Sequence, residues 1–242
     1  MAGIAAFFAR ESIPDFDVIM KPMIDSYITH DTCNFDAMIV DPENPENVQS
    51  YDCQDIRSIC KNRYEEIRNF YDDKMEVGSL LMFGIDTEIA YDGDCECGDF
   101  VAVLNHSSNK YAIGDQILTA QYIAKNYNRK FHKNMKKTLE DNCETDINML
   151  AFDSAKKFLM SANDGHQGLQ MCHAYVKGYG FMLHENMVCL RNIIHTITAC
   201  SEDACNMWET WYGHPLESEV IRESDLISGN MRKIKFNPKY SY

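Results

Sequence analysis

The chain has 242 residues, enough for one sizeable core, and 45% of them are hydrophobic, which excludes wholesale disorder. Its formal net charge of −14 sets it apart from proteins that grip nucleic acid or an anionic membrane, since both tasks need an excess of Lys and Arg. No apolar run reaches bilayer length, and the opening MAGIAAFFARESIPDFD has no basic lead before its short apolar patch; neither a membrane span nor a secretory signal is expected, and the cytoplasm is the expected compartment.

In chain order, residues 1–40 read as an N-terminal arm with a short amphipathic start at Ile4, Phe7 and Phe8. DPENPENVQS, 41–50, reads as a Pro/Asn-rich linker to a single globular domain over 51–242. Asp52 is placed to cap a helix over about 54–74, whose apolar residues Ile56, Ile59, Cys60, Tyr64, Ile67, Phe70 and Tyr71 recur at threes and fours. VGSLLMFGIDTEIAY, 77–91, predicts strand, and DGDCECGD a turn. DFVAVLNHSSNKYAIGDQI, 99–117, predicts a strand over 99–104, a polar turn over 105–110 and a second strand over 111–113. Gly114 then breaks the hairpin and Asp115 caps a helix carrying Ile117, Leu118 and Tyr122.

From Lys125 that helix becomes basic, with Lys125, Arg129, Lys130, Lys133, Lys136 and Lys137. It is the candidate anion or nucleotide site, the plainer reading being a solvated helix face. A helix is expected near 146–161 and a strand over CHAYVKGYGFMLHE, 172–185; residues 187–199 suit either state. Ser201 caps a short helix bearing Cys205, Trp208, Trp211 and Tyr212, ended by Gly213 and Pro215. Such irregular mixing of strands and helices predicts the α+β class.

Recognised chemical motifs are missing. There is no nucleophile elbow, phosphate loop, dinucleotide fingerprint or H-E-x-x-H. Gly178-Tyr179-Gly180 lies in a strand pattern and suggests a bend, and His184-Glu185 lacks the second His of a zincin. Of the 10 cysteines, Cys95-Glu96-Cys97 form one tight pair with no second pair at zinc spacing. Their acidic neighbours raise thiol pKa values, so buried or surface thiols are expected rather than a nucleophile or a metal site. A Cys/His dyad assembled from distant positions stays open as the enzymatic alternative.

The stretch VAVLNHSSNKYAIGD resembles the polyhedrins of cypoviruses, in which a strand, an Asn/Ser/Lys-rich turn, a Tyr-bearing strand and a Gly before a helix follow one another. ACSEDACNMWETWYGHP is a fainter likeness to that family's C-terminal helix of spaced Cys, aromatic and acidic residues. The resemblance implies an antiparallel β-sandwich core with flanking helices, an N-terminal helix projecting to neighbouring molecules, homotrimers, and a non-catalytic matrix that crystallises around virus particles in occlusion bodies of the infected cell's cytoplasm. It also implies dissolution at alkaline pH, with no required cofactor, although some members hold nucleotides between subunits. Ile4, Phe7, Phe8, Tyr240 and Tyr242 are the expected assembly contacts, with no catalytic or metal-binding residue and neither nucleic acid nor membrane as partner. The alternatives are a small cytosolic enzyme using a Cys nucleophile or a cryptic metal, and a non-catalytic interaction module.

Overall fold

The computed structural model describes residues 3–28, 33–56, 61–92, 101–107, 112–113, 116–117, 147–154, 158–163, 172–176, 178–199 and 232–235. The chain is α+β: antiparallel sheets with a few helices. The elements that build the first sheet are β1 (Gly3–Ala9), β2 (Cys33–Asp41), β3 (Asn44–Ile56), β4 (Leu80–Ile85), β11 (Cys172–Val176) and β12 (Gly180–His184). They run in the order β11-β12-β1-β4-β2-β3. A second sheet has β5 (Glu88–Asp92), β6 (Val101–Ser107), β9 (Ile147–Asp153), β10 (Phe158–Asn163) and β13 (Arg232–Lys235), in the order β13-β10-β9-β6-β5. Two short strands, β7 (Ala112–Ile113) and β8 (Gln116–Ile117), pair with each other. The described helices are α1 (Met20–Asp25), α2 (Lys61–Lys74) and α3 (Met187–Ala199).

Alternation along the first sheet divides the core in two. In β1, Ala5, Phe7 and Ala9 enter a cluster with Met20, Met23 and Ile24 of α1, Ile67 and Tyr71 of α2, and Cys189, Leu190 and Ile193 of α3. Ile4 and Ala6 point the other way, into a cluster shared with Met38 and Val40 of β2, Leu80 and Met82 of β4, and Leu150, Phe152 and Leu159 of the second sheet. The period of two in a strand forces this split. Both faces of β1 are therefore apolar, and the sequence GIAAFFA reads as a continuous hydrophobic run.

This corrects the expectation of a projecting helical arm. Residues 3–9 form a central strand, hydrogen-bonded to β12 through Ala5↔His184 and to β4 through Ala5↔Phe83. Ile4 and Phe7 are 0% exposed, and Phe8 packs partly buried against the second cluster. The 41–50 linker is likewise part of the sheet: β2 and β3 pair over Val40↔Val48, Met38↔Ser50 and Phe35↔Cys53. Asp41 makes the turn, its Oδ1 accepting from the Glu43 N–H (2.8 Å) and its Oδ2 from Asn44 Nδ2 (2.7 Å). Pro45 is tolerated because β3 is an edge strand, where a missing donor breaks no ladder bond on the open side.

Other boundaries move. The helix expected from 54 starts at Lys61 in the described residues, and 51–56 belong to β3. The strand expected over 77–91 is two strands, β4 and β5, broken at Asp86, which has φ 49 and whose N–H donates to the Asn34 carbonyl. The hairpin expected within 99–113 is absent in that form: β6 pairs with β5 and β9, and β7 with β8, so Gln116–Ile117 are strand where helix was expected. The helix expected near 146–161 is the β9–β10 hairpin, paired over Phe152↔Leu159 and Leu150↔Ser161. The strand over 172–185 is the hairpin β11–β12, and 187–199 is helix.

At the bend of that last hairpin, Gly180 has φ +150 and a β-carbon there would collide with the Phe8 carbonyl oxygen. Close approach of the β1 backbone thus requires glycine. Among the described residues no helix is long and apolar enough to cross a membrane.

Candidate functional site

A buried polar cluster lies where β1 begins, β12 ends and α3 starts. Three sequence features place it. His184 is the last residue of β12 and lies on the sheet face that carries Met182, so it turns toward α1. Asn186 caps α3, its Oδ1 accepting from the N–H groups of Val188 (2.9 Å) and Cys189 (3.2 Å). Gly3 leaves room for the Tyr27 ring, which a β-carbon at that position would strike.

His184 is 0% exposed and stacks on Tyr27, ring centroids 4.5 Å apart. The Asn186 N–H donates to its Nδ1 (2.8 Å), which fixes Nδ1 as the acceptor and puts the ring proton on Nε2. That proton faces the Met23 carbonyl (3.2 Å) and Ser26 Oγ (3.0 Å), while the Ser26 hydroxyl itself donates to the Met23 carbonyl (2.7 Å). Burial pushes the His184 pKa down to about 4, with the Met23 carbonyl pulling the other way. Tyr27 donates its hydroxyl to the Ile4 carbonyl (2.7 Å), and the Ile4 N–H donates to Glu185 Oε2 (3.1 Å). Burial and the Glu185 carboxylate hold the Tyr27 phenol well above its ordinary pKa.

Chemically, this arrangement is ordered for holding rather than reacting. Ser26 Oγ lies within reach of an imidazole, the geometry of a nucleophile and its base. The tautomer is wrong: Nε2 carries the proton and cannot take one from the serine. Three thiols among the described residues are also held toward their protonated form. Burial raises Cys53 and Cys172, and pushes Cys189 up to about 11.

Of the residues singled out in the sequence, Ile4 joins this cluster through its backbone, whereas Phe7 and Phe8 pack in the two apolar clusters. His184 and Glu185, noted only for what they lacked as a zinc motif, lie at its centre. Lys125, Arg129, Lys130, Lys133, Lys136, Lys137, Tyr240, Tyr242, Cys95 and Cys97 fall outside the described residues, as does the helix expected after Ser201. Among the described residues no group of three His, Cys, Asp or Glu side chains is set to hold a metal ion. Sequence reasoning missed Ser26, Tyr27 and Asn186. For Asn186 a signal existed, an Asn directly before the apolar run MVCL; Tyr27 and Ser26 meet His184 only through long-range packing.

No family model matches the chain, and no curated protein does. Among solved structures it is similar to one described as the allosteric regulatory enzyme of purine biosynthesis, at 9% identity and a TM-score of 0.54. It is also similar to the glutamine phosphoribosylpyrophosphate amidotransferase of B. subtilis complexed with ADP and GMP, at 8% identity and a TM-score of 0.50. Each alignment covers 79% of this chain and 43% of the other, so the chain spans less than half the length of these enzymes. At such identities the likeness is one of fold alone.

Proposed function

We propose that this chain is a non-catalytic structural protein, built on a fold it shares with part of an amidotransferase. The observation that carries this is the hydrogen bonding of His184: this buried imidazole, set beside a hydroxyl, is committed by Asn186 to the tautomer that cannot act as a base. Raised thiol pKa values point the same way. The purified protein should release no ammonia from glutamine and should leave no single cysteine alkylating far faster than the rest. Sustained hydrolysis of an amide, or one hyper-reactive thiol, would favour an enzyme.

Within that class, the specific reading is the matrix of a viral occlusion body, self-assembling in the cytoplasm as trimers around virus particles. Its support is the sequence resemblance of VAVLNHSSNKYAIGD and the strongly acidic composition. In this reading the two sheets and their shared apolar cluster form the β-sandwich. Assembly contacts would come from surfaces other than residues 3–9, with Tyr240 and Tyr242 retained as candidate contacts and the Lys125–Lys137 stretch as a nucleotide-binding candidate. High pH would ionise tyrosines and thiols on molecules already charged −14, and mutual repulsion would dissolve the lattice. Expression of the chain alone in insect cells tests it: micrometre crystals stable at pH 5–8 and dissolving near pH 10 are expected, at about the tyrosine pKa. A protein that stays dispersed at high concentration would contradict it.

The second reading, favoured by the fold likeness, is an amide-handling domain related to amidotransferases. The glutamine assay above separates the two.

A further inference from the structure

The position of His184 carries a consequence for how the molecule responds to acid. Its ring is wedged where β12 meets four other elements. On its own segment stand Glu185, bonded to the Ile4 N–H, and Asn186, bonded to the ring. From the α1 side come Met23, Ser26 and Tyr27, with Asp25 next to them held by Lys21 and by the Tyr64 hydroxyl. β1 contributes Ala5, and β11 contributes Cys172, each paired with His184 across the sheet. From α3 come Cys189, whose thiol donates to the Pro22 carbonyl, and Arg191, whose charge acts on Cys172.

We propose that this cluster is an acid-sensitive latch: a proton added to His184 Nδ1 opens the corner where β1, α1 and α3 meet, while the rest of the core stays folded. The geometry gives that proton a poor place, since the oxygen near Nδ1, Tyr27 Oη, is 3.4 Å away on a ring stacked over the imidazole. At 2.8 Å from Nδ1 stands the Asn186 N–H, itself a donor, so protonation turns a hydrogen bond into two opposed donors. Nε2 is already a donor to Met23 and Ser26. The ring cannot shift without losing its stack on Tyr27, and Tyr27 is the residue that ties down the Ile4 carbonyl. Release therefore passes from ring to phenol to the first residues of β1, and from Asn186 to the first turn of α3.

The sign follows from linkage. The closed form holds the His184 pKa near 4, below the ordinary value of 6.5, so the closed form binds fewer protons between these limits. The stability of the latch is full above about pH 6.5 and is lost as pH falls toward about 4. Between pH 7 and pH 5 the opening constant should rise roughly 20-fold, from the two pKa values alone.

Amide hydrogen exchange on the full chain, corrected for the intrinsic pH dependence of exchange, reads this directly. Opening at Ile4, Ala5, Asn186 and Cys189 should rise by about that factor between pH 7 and 5, with Leu81 and Phe83 unchanged. The variant His184→Asn offers an acceptor but no titrating ring, and should lose the rise; His195→Asn, on the exposed face of α3, should keep it. Because the His184 variant removes buried volume and could fail to fold, NMR of isotope-labelled histidine in the unaltered protein supplies an independent reading. A His184 ring that is neutral with its proton on Nε2 at pH 7, and that becomes charged only as the corner opens, is expected. A rise that persists in folded His184→Asn, or a ring that titrates near 6.5 with the corner still closed, would overturn the latch.

Discussion

β1 and β3 belong to the same sheet and teach opposite lessons about reading strands. β1 is paired on both edges and covered on both faces, and Ile4, Ala5, Ala6 and Phe7 are all fully buried. β3 is the longer strand, yet among the described residues it pairs only with β2, and its residues Glu46, Asn47, Ser50, Asp52 and Gln54 are exposed. Burial, not length, decides how much a strand holds the fold together, because free energy follows apolar area removed from water.

Substitutions should separate the two strands sharply. Removing residues 1–12 takes out the strand between β12 and β4, and no soluble folded protein should remain; a folded truncated protein by circular dichroism would put β1 back outside the core. Phe7→Ala alone should cost about 3–5 kcal/mol in denaturant unfolding. Next in size, the phenols that tie the helices down should fail together at high pH. Tyr27, Tyr51, Tyr64 and Tyr71 all ionise later than a free tyrosine, chiefly through burial. Each donates its hydroxyl in the fold: Tyr27 to Ile4, Tyr51 to Glu66, Tyr64 to Asp25 and Tyr71 to Pro14. A raised folded-state pKa gives stability that is complete below about pH 10 and lost as pH climbs beyond it. Tyrosinate absorbance should therefore appear in two phases, exposed phenols first and these four only with unfolding; one phase at the ordinary pKa would contradict it.

Smaller effects probe the joints of β1. Gly180→Ala should cost at least about 2 kcal/mol, from a disfavoured backbone conformation and a clash with the Phe8 carbonyl. Asn186→Ala should cost about 1 kcal/mol through loss of the α3 cap, with Asn186→Asp recovering most of it. On β3, Gln49→Ala should stay within about 0.5 kcal/mol, since its side chain bonds to nearby Asn47 at the surface. A β3 change as costly as Phe7→Ala would erase the contrast.

How legible the fold was follows the same division. LLMFGI and CHAYVKGYGFMLH read as strand because apolar or alternating runs bounded by glycine leave few alternatives. GIAAFFA is as apolar but holds three alanines, good helix formers, and its position at the chain start suggested an arm; tertiary pairing overrode propensity. The β9–β10 hairpin was misread for a related reason: INMLAFDSAKKFLM is rich in Ala, Leu, Lys and Met, and its strand state depends on neighbours on both sides. Pro45 hid β3 because only an edge strand accepts it, and Pro42 lies in the turn just before that strand. At the candidate site, His184 was visible but its partners were not. Tyr27 stands 157 residues away, and no local pattern encodes that meeting.

β1 is the keystone of the sheet, and the polar cluster beside it holds it there. Hydrogen exchange at pH 7 tests this most directly, by comparing the amides of Ala5–Phe8 with those of Asn47–Ser50. The β1 amides should exchange only through global unfolding, with the full unfolding free energy and its full denaturant dependence, while β3 amides facing the open edge should exchange through local opening. Equal protection in the two strands, or faster exchange in β1, would contradict it.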